Sequence, residues 1–578
     1  MILRLASQIL LSYRLLSGFV HFGLNLGMGA LIEEAYRSYM DFSDLKHKKV
    51  LVIDDFANVR KAIRTMLLDL GFQTVNEAGD GNSATKLMRE TKHDLVLCDF
   101  NLGKGRDGMR LLEEWRLLNL LAPEALFVLI TGETARDIVI SALEIEPDDY
   151  LTKPFTMEVL SIRMMRLFER RQIMLPLLAA LDKKDWPIVA RIAREVNDQH
   201  PRYRSAAQKY FVEALIQQNH LTEAESFLYG LLGKRYQCWA QTYLHRIELL
   251  QDKPDSAEKG LKAVLQRSPN EMVAYDYLVN ALQAQDKGEE VQFWLEQAIA
   301  RAPRNINRQQ HLVAVAQENL DLQRANLAQR DLLNLAADTM HESLGRFQTY
   351  IKDLQHEAGS CDEVRRKEIQ REITNAGKRM LESFPSDHNA RLFSKALQIQ
   401  KSNAKSDDVR YVRSLKVLFE ESFEDIDELI PETAIFLAET FYLAKRFDEG
   451  DEMVRRFKIC FSHLPQVVST LNSLQAEPIP VSARKEAKEL NSQGIDLYRR
   501  HEYSASIQFF ERAISLSPRH PGIILNFVQS HLMQMKSDGK NRTVIEMCLD
   551  TIRRLHYLSD EHYQYERYQK MLGNLEKL

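Results

Sequence analysis

At 578 residues the chain is too long for a single hydrophobic core, and three or four domains are expected. Its 77 basic and 81 acidic residues nearly cancel to a net charge of -4, so no excess of positive charge marks it as a binder of phosphate backbones, and no specific nucleic-acid partner is expected. Five cysteines, Cys98, Cys238, Cys361, Cys460 and Cys548, contain no C-x-x-C pair, which argues against a zinc site or disulfide framework and fits free thiols in a reducing cytoplasm.

Residues 1–47 read as an N-terminal extension. Leu15–Ile32 carries no charge for 18 residues, a borderline length for a membrane span. Gly18, Gly23, Gly27, Gly29, His21 and Asn25 dilute its apolarity, and the expectation is that natural translation starts at Met40. The alternative is a weak anchor, and contact with a membrane is expected only if residues 15–32 insert.

Residues 48–170 alternate short apolar runs with helical patterns. Val50-Leu51-Val52-Ile53 ends in Asp54-Asp55, and Asp94-Leu95-Val96-Leu97-Cys98 ends in Asp99. Leu126-Phe127-Val128-Leu129-Ile130 ends in Thr131, and Asp149-Tyr150-Leu151-Thr152 ends in Lys153-Pro154. Between them Val59, Ile63, Met66, Leu67 and Leu70 recur at helical spacing before Gly71, a natural stop. Leu87 and Met88, then Met109, Leu111, Leu112 and Trp115, then Ile138, Val139 and Leu143 mark three more helices. Five rounds of strand and helix predict an α/β domain with a doubly wound, five-stranded parallel sheet. Ligands of such sheets bind beyond the carboxyl ends of the strands, so these four strand ends are expected to converge on one crevice.

The residue types set the chemistry. Three carboxylates in one crevice repel one another and need a cation, and a hard oxygen site with few protein ligands suits Mg²⁺. Asp99 is the candidate nucleophile for a phosphoryl group. The metal held by Asp54 and Asp55, the Lys153 ammonium and the Thr131 hydroxyl can meet the developing negative charge. Capping of helices is the bland explanation for any one such aspartate, but it does not explain five positions at four strand ends.

This segment resembles the receiver domain of bacterial two-component response regulators. The run Val52-Ile53-Asp54-Asp55-Phe56, with Arg60 five residues beyond Asp55, is especially similar to chemotaxis-type receivers. The resemblance implies that Asp99 accepts phosphate from a partner histidine kinase or phosphotransfer protein. It further implies that Asp55 ligates Mg²⁺ directly with support from Asp54, and that Lys153 contacts the phosphoryl group. Thr131 and Tyr150 would form a switch pair reshaping the face near the fourth helix and fifth strand, and Lys153-Pro154 would carry a cis peptide bond. The sequence departs from the family after Asp99, where Phe100-Asn101-Leu102-Gly103-Lys104-Gly105-Arg106-Asp107-Gly108 is one residue longer and richer in glycine. The Asn101 backbone carbonyl is expected to remain a metal ligand, while the loop leaves the phosphate's lifetime and the docking kinase unspecified.

From about Arg163 the chain reads as helical. Pro201, Pro269 and Pro303 are spaced by 68 and 34, the tetratricopeptide period. Residues 171–308 are therefore expected to form tetratricopeptide-like repeats, with Ala224, Ala257 and Ala298 allowing close helix approach. Residues 309–425 read as a charged helical connector or degenerate repeats, with only Pro385 among them. Residues 426–578 hold further repeats. Gly494, Tyr498, Tyr503, Phe510, Ala513 and Pro518 resemble a tetratricopeptide repeat, with Ser506 where alanine is usual, and Leu437, Ala438, Phe441, Phe447, Gly450 and Val454 form a weaker copy. Such units cannot bury their apolar faces alone, so an all-α solenoid with a groove for a protein or peptide ligand is expected. His341 reads as a surface residue.

No second catalytic constellation follows residue 170, and the chain reads as a signalling protein without an external substrate. The leading expectation is a phosphorylation-dependent response regulator that acts through protein contacts of its repeats. The alternative is a constitutive scaffold whose receiver is a docking domain or phosphate sink. The kinase, the ligand of the repeats and the pathway are not encoded in any motif.

Overall fold

The computed structural model describes residues 42–103, 107–132, 144–337, 339, 341–402, 409–476, 481–558, 560 and 562–578. The segment Leu15–Ile32, the Met40 start and the expected helix around Ile138, Val139 and Leu143 lie outside the described residues, as do Lys104, Gly105 and Arg106. No described helix is long and apolar enough to cross a membrane. Two compact units divide the chain: Met1–Lys287 with Gln297–Arg304, and Gly288–Glu296 with Asn305–Leu578.

The first unit contains a sheet of β1 (Lys49–Ile53), β2 (Thr74–Ala78), β3 (Leu95–Asp99), β4 (Leu126–Thr131) and β5 (Asp149–Thr152). All pairings are parallel and the order is β2-β1-β3-β4-β5, so the chain reverses direction across the sheet between β1 and β3. The apolar runs match four of these strands. The remaining one, β2, is written Thr-Val-Asn-Glu-Ala because it is an edge strand with half-exposed positions and needs no continuous apolar run.

Alternation along the strands builds two apolar layers, one on each face. Leu51, Ile53, Val96, Cys98, Phe127 and Leu129 pack with Ala84, Met88, Met109, Leu112 and Trp115 from the helices Gly81–Glu90 and Gly108–Leu117. Val50, Val52, Leu95, Leu97, Val128 and Ile130 pack with Ile63 and Leu67 of the helix Ala57–Asp69 and with Leu160, Met164 and Leu167. The last three belong to a 26-residue helix, Met157–Asp182. Its later residues Met174, Leu177 and Ala180 enter a second, all-helical core with Val189, Phe211, Leu228 and Trp239. One helix thus serves both the sheet and the first repeats, and residue 170 lies inside it.

The rest of the described chain is helical. Helices open at Arg204, Cys238, Met272 and Ile306, 34 residues apart in each case. The turns before the intervening helices hold Asn219, Asp252, Asp286 and Leu320 in the left-handed region, with φ of 59°, 59°, 55° and 61°. The same turn precedes Phe447 and Tyr503, with Lys445 at φ 59° and His501 at φ 63°. Small residues stand where paired helices touch: a Cβ on Gly494 would lie 2.7 Å from the Phe510 ring, and one on Gly450 would lie 2.8 Å from the Tyr442 ring. Ser506 is buried and its hydroxyl lies 3.2 Å from Ser530 Oγ. Residues 309–425 also carry regular helices, including Leu344–Ala358, Glu363–Ser383 and His388–Lys401, packed into one large core with Phe393, Phe436 and Phe457. His341 stands in the turn before Leu344 rather than within a helix.

Candidate functional site

The crevice lies at the carboxyl ends of β1 and β3, where strand order reverses. Asp54 and Asp55 follow β1 and Asp99 ends β3, and carboxylate oxygens of all three lie within 4.8 Å of one another. Asp54 and Asp99 are buried, whereas Asp55 is exposed at the mouth beside Phe56, which is 65% exposed.

Lys153, immediately after β5, reaches across. Its ammonium sits 2.7 Å from Asp54 Oδ2 and 3.1 Å from Asp99 Oδ2. The peptide bond it shares with Pro154 is cis. Thr131 ends β4 in register with Thr152, is buried, and accepts the Lys153 N–H on its carbonyl at 2.7 Å. Tyr150, on β5, is half-buried against the layer that contains Trp115 and Phe127. The Phe56 N–H donates to Asp54 Oδ1 at 2.8 Å, and the Arg60 guanidinium donates to the Asp54 carbonyl at 2.6 Å. The residues expected at the four strand ends therefore meet in one place, with Tyr150 behind them. Asn101 lies two residues beyond Asp99, its side-chain oxygen accepting the Gly103 N–H at 3.1 Å.

Burial pushes the Asp99 carboxyl above the usual carboxylate range; Asp54 and Asp55 add to this and Lys153 opposes it. Burial works against the Lys153 charge as well, but hydrogen bonds and charge from Asp54 and Asp99 outweigh it and raise its pKa. Asp99 is thus a carboxylate under strain, held beside a lysine that stays charged at neutral pH. The Cys98 thiol is pushed far up by complete burial and is inert as a nucleophile at neutral pH.

Two features were hard to read in the sequence. Gly108 opens its helix directly against the site: a Cβ there would lie 2.4 Å from the Asp99 carbonyl oxygen and 3.0 Å from Cys98 Sγ. Its N–H donates to the Phe100 carbonyl at 2.9 Å, closing the long loop back onto β3. Asp107 caps that helix by accepting the Arg110 N–H at 2.9 Å. The signal was the pair Asp107-Gly108, a cap followed by a residue without a side chain.

Oxygen ligands from three carboxylates, one of them exposed at the mouth, suit a hard divalent cation that retains waters, and the donor set fits Mg²⁺.

Residues 50–164 match the model of the response regulator receiver domain family. The chain is 34% identical over 129 residues to chemotaxis protein CheY-3 of Vibrio cholerae serotype O1, covering 22% of this chain and 95% of that protein. It is also 34% identical over 122 residues to chemotaxis protein CheY of Pseudomonas aeruginosa, covering 21% and 97%. Among solved structures it is similar to Vibrio cholerae chemotaxis protein CheY4, at 24% identity and a TM-score of 0.20, covering 21% of this chain and 98% of that one. Through this segment, the chain belongs to the response regulator receiver family.

Proposed function

We propose that the chain is a phosphorylation-dependent response regulator whose helical repeats bind a protein partner. Asp99 takes a phosphoryl group from a phosphohistidine on a histidine kinase or phosphotransfer protein. The observation that carries this reading is the cluster of Asp54, Asp55 and Asp99 with Lys153 3.1 Å from Asp99.

In the reaction, an Asp99 carboxylate oxygen forms a bond to phosphorus as the bond from phosphorus to the donor's imidazole nitrogen breaks. Lys153 meets charge on the transferred oxygens, and Thr131 offers its hydroxyl to the same group. Asp54, Asp55, Asp99 and the Asn101 carbonyl would hold Mg²⁺, which when bound neutralises charge on the phosphoryl oxygens. Thr131 and Tyr150 are proposed as the pair that transmits the change.

The 34-residue recurrence of helix starts and left-handed turns supports reading the repeats as tetratricopeptide units, which present concave surfaces to protein ligands. The continuous helix Met157–Asp182 favours a coupled output over a tethered, independent receiver. A coupling of about 1–3 kcal/mol between Asp99 and partner binding changes affinity roughly 5–150-fold, enough for a switch.

The test is a pull-down from native lysate with the full chain, with and without Mg²⁺ and beryllofluoride, and with Asp99→Ala beside it. A partner gained or lost only when Asp99 is modified supports the switch. The same partners in every lane support a constitutive scaffold instead.

A further inference from the structure

The turn marked by Pro303 brings a cation to the loop that follows the phosphoryl site. Arg304 follows the helix Gly288–Arg301 and belongs to the same compact unit as the sheet. Its guanidinium forms an ion pair with Asp107 and lies 4.9 Å from the centroid of the Phe100 ring. Its carbonyl accepts from Arg110 Nη2 at 2.9 Å, and Arg110 is itself nearly buried. Phe100 is the residue after Asp99, and Asp107 precedes the glycine that packs on the Asp99 carbonyl. Two contacts from one residue thus fall on the two ends of the loop from Asp99 to Gly108, and a third on the helix that follows it.

We infer that Arg304 is a positioning residue for phosphoryl uptake: from the helical region it neutralises Asp107 and fixes Phe100 beside Asp99. The inference rests on the proposed role of Asp99 as acceptor. Asp107 stands next to Gly108, whose backbone packs against the Asp99 carbonyl, and its charge reaches Cys98, the residue before the acceptor. An Asp107 without its partner would add a third negative charge, after Asp54 and Asp55, around a carboxylate that must take on a phosphoryl dianion. Arg304 removes that repulsion, and the cation–π contact holds Phe100 in place. The part of that effect that stabilises phosphorylated Asp99, rather than only speeding its formation, is reciprocal: the phosphoryl group tightens the seat of Arg304 by the same factor. The helical region would then sense the acceptor through its own side chain as well as through the sheet.

The test labels full-length chains with acetyl phosphate and Mg²⁺, following the initial rate by intact mass. In this reaction an Asp99 oxygen forms the new bond to phosphorus as the bond from phosphorus to the acetate oxygen breaks and acetate leaves. Arg304→Ala is expected to label about fivefold more slowly at low salt. Arg304→Lys, which keeps the charge, should recover at least half of the wild-type rate. Arg304→Ala combined with Asp107→Asn should also recover, because the uncompensated charge is gone while asparagine still caps the helix. Arg304→Ala labelling at the wild-type rate overturns the inference, and so does a double variant as slow as Arg304→Ala. A lysine variant as slow as the alanine one does the same. If Arg304→Ala does not fold, Asp107→Asn alone decides: a rate at or above wild type supports the inference and a slower one overturns it. Wild type that takes no more label than Asp99→Asn removes the acceptor role itself, and this inference with it.

Discussion

Buried and half-buried carboxylates occur in both the sheet and the helical repeats, and they are treated in opposite ways. Asp451, among the C-terminal helices, receives Arg519 Nη1 and Nη2 at 2.8 Å each, the Tyr442 hydroxyl at 2.9 Å and Gln475 Nε2 at 3.1 Å. Arg519 is in turn enclosed by the rings of Tyr442, Phe447 and Tyr557. Glu357 is similarly occupied, by Arg365 at 2.8 Å and Asn326 at 2.7 Å. Asp99 instead shares one lysine with Asp54 and faces two other carboxylates, and its charged form is disfavoured. A saturated carboxylate holds helices together; an under-compensated one is available for chemistry.

The largest effect that would break this comparison is at Asp451. Asp451→Asn leaves the Arg519 guanidinium buried without its counter-charge and should cost about 3 kcal/mol, read as faster amide exchange in the helices Pro431–Leu443 and Pro521–Asp538. Wild-type exchange rates there would show that Asp451 is not structurally saturated.

Gly108→Ala comes next, at about 2 kcal/mol, because the added methyl would lie 2.4 Å from backbone that cannot turn away. Labelling of Asp99 should fall with it. Gly494→Ala meets the rotatable Phe510 ring and should cost less, about 1 kcal/mol, with no effect on labelling. Thermal unfolding of both variants, with labelling beside it, separates the two predictions.

Asp99→Asn should have the opposite sign from Asp451→Asn and modestly stabilise the sheet at neutral pH. The Asp99 pKa is raised in the folded chain, so its ionised form opposes folding above that pKa. The penalty disappears as pH falls through the raised value and the carboxyl takes up its proton. The gap between variant and wild type should therefore shrink from pH 7 toward pH 4, and a gap that widens on acidification would contradict the burial argument.

The smallest effect is in the repeats' turns. Leu320 holds φ 61° and is 83% exposed, a conformation that costs a branched residue about 1 kcal/mol and glycine almost nothing. Leu320→Gly should raise stability by up to about 1 kcal/mol, less whatever entropy the unfolded glycine gains. Asn219→Ala, in the corresponding turn, should lower it.

The convergence of the candidate residues was legible in the sequence because each follows an apolar run, and a parallel sheet brings such ends together whatever their separation. The edge strand β2 was not, since exposed Thr74 and half-exposed Asn76 and Glu77 leave no apolar run. The 34-residue period was visible through prolines, which stand between repeats. Arg304 was invisible for a different reason: its partners Asp107 and Phe100 lie far away in sequence, in another part of the chain, and no periodicity encodes a contact between a repeat turn and a strand-end loop.

The measurement that tests the central claim most directly is intact-mass labelling of the full chain by acetyl phosphate with Mg²⁺, for wild type and Asp99→Asn. One phosphoryl adduct on wild type and none on Asp99→Asn is the predicted result. An adduct that persists on Asp99→Asn, or wild type that never takes one, would contradict the assignment of Asp99 as the acceptor.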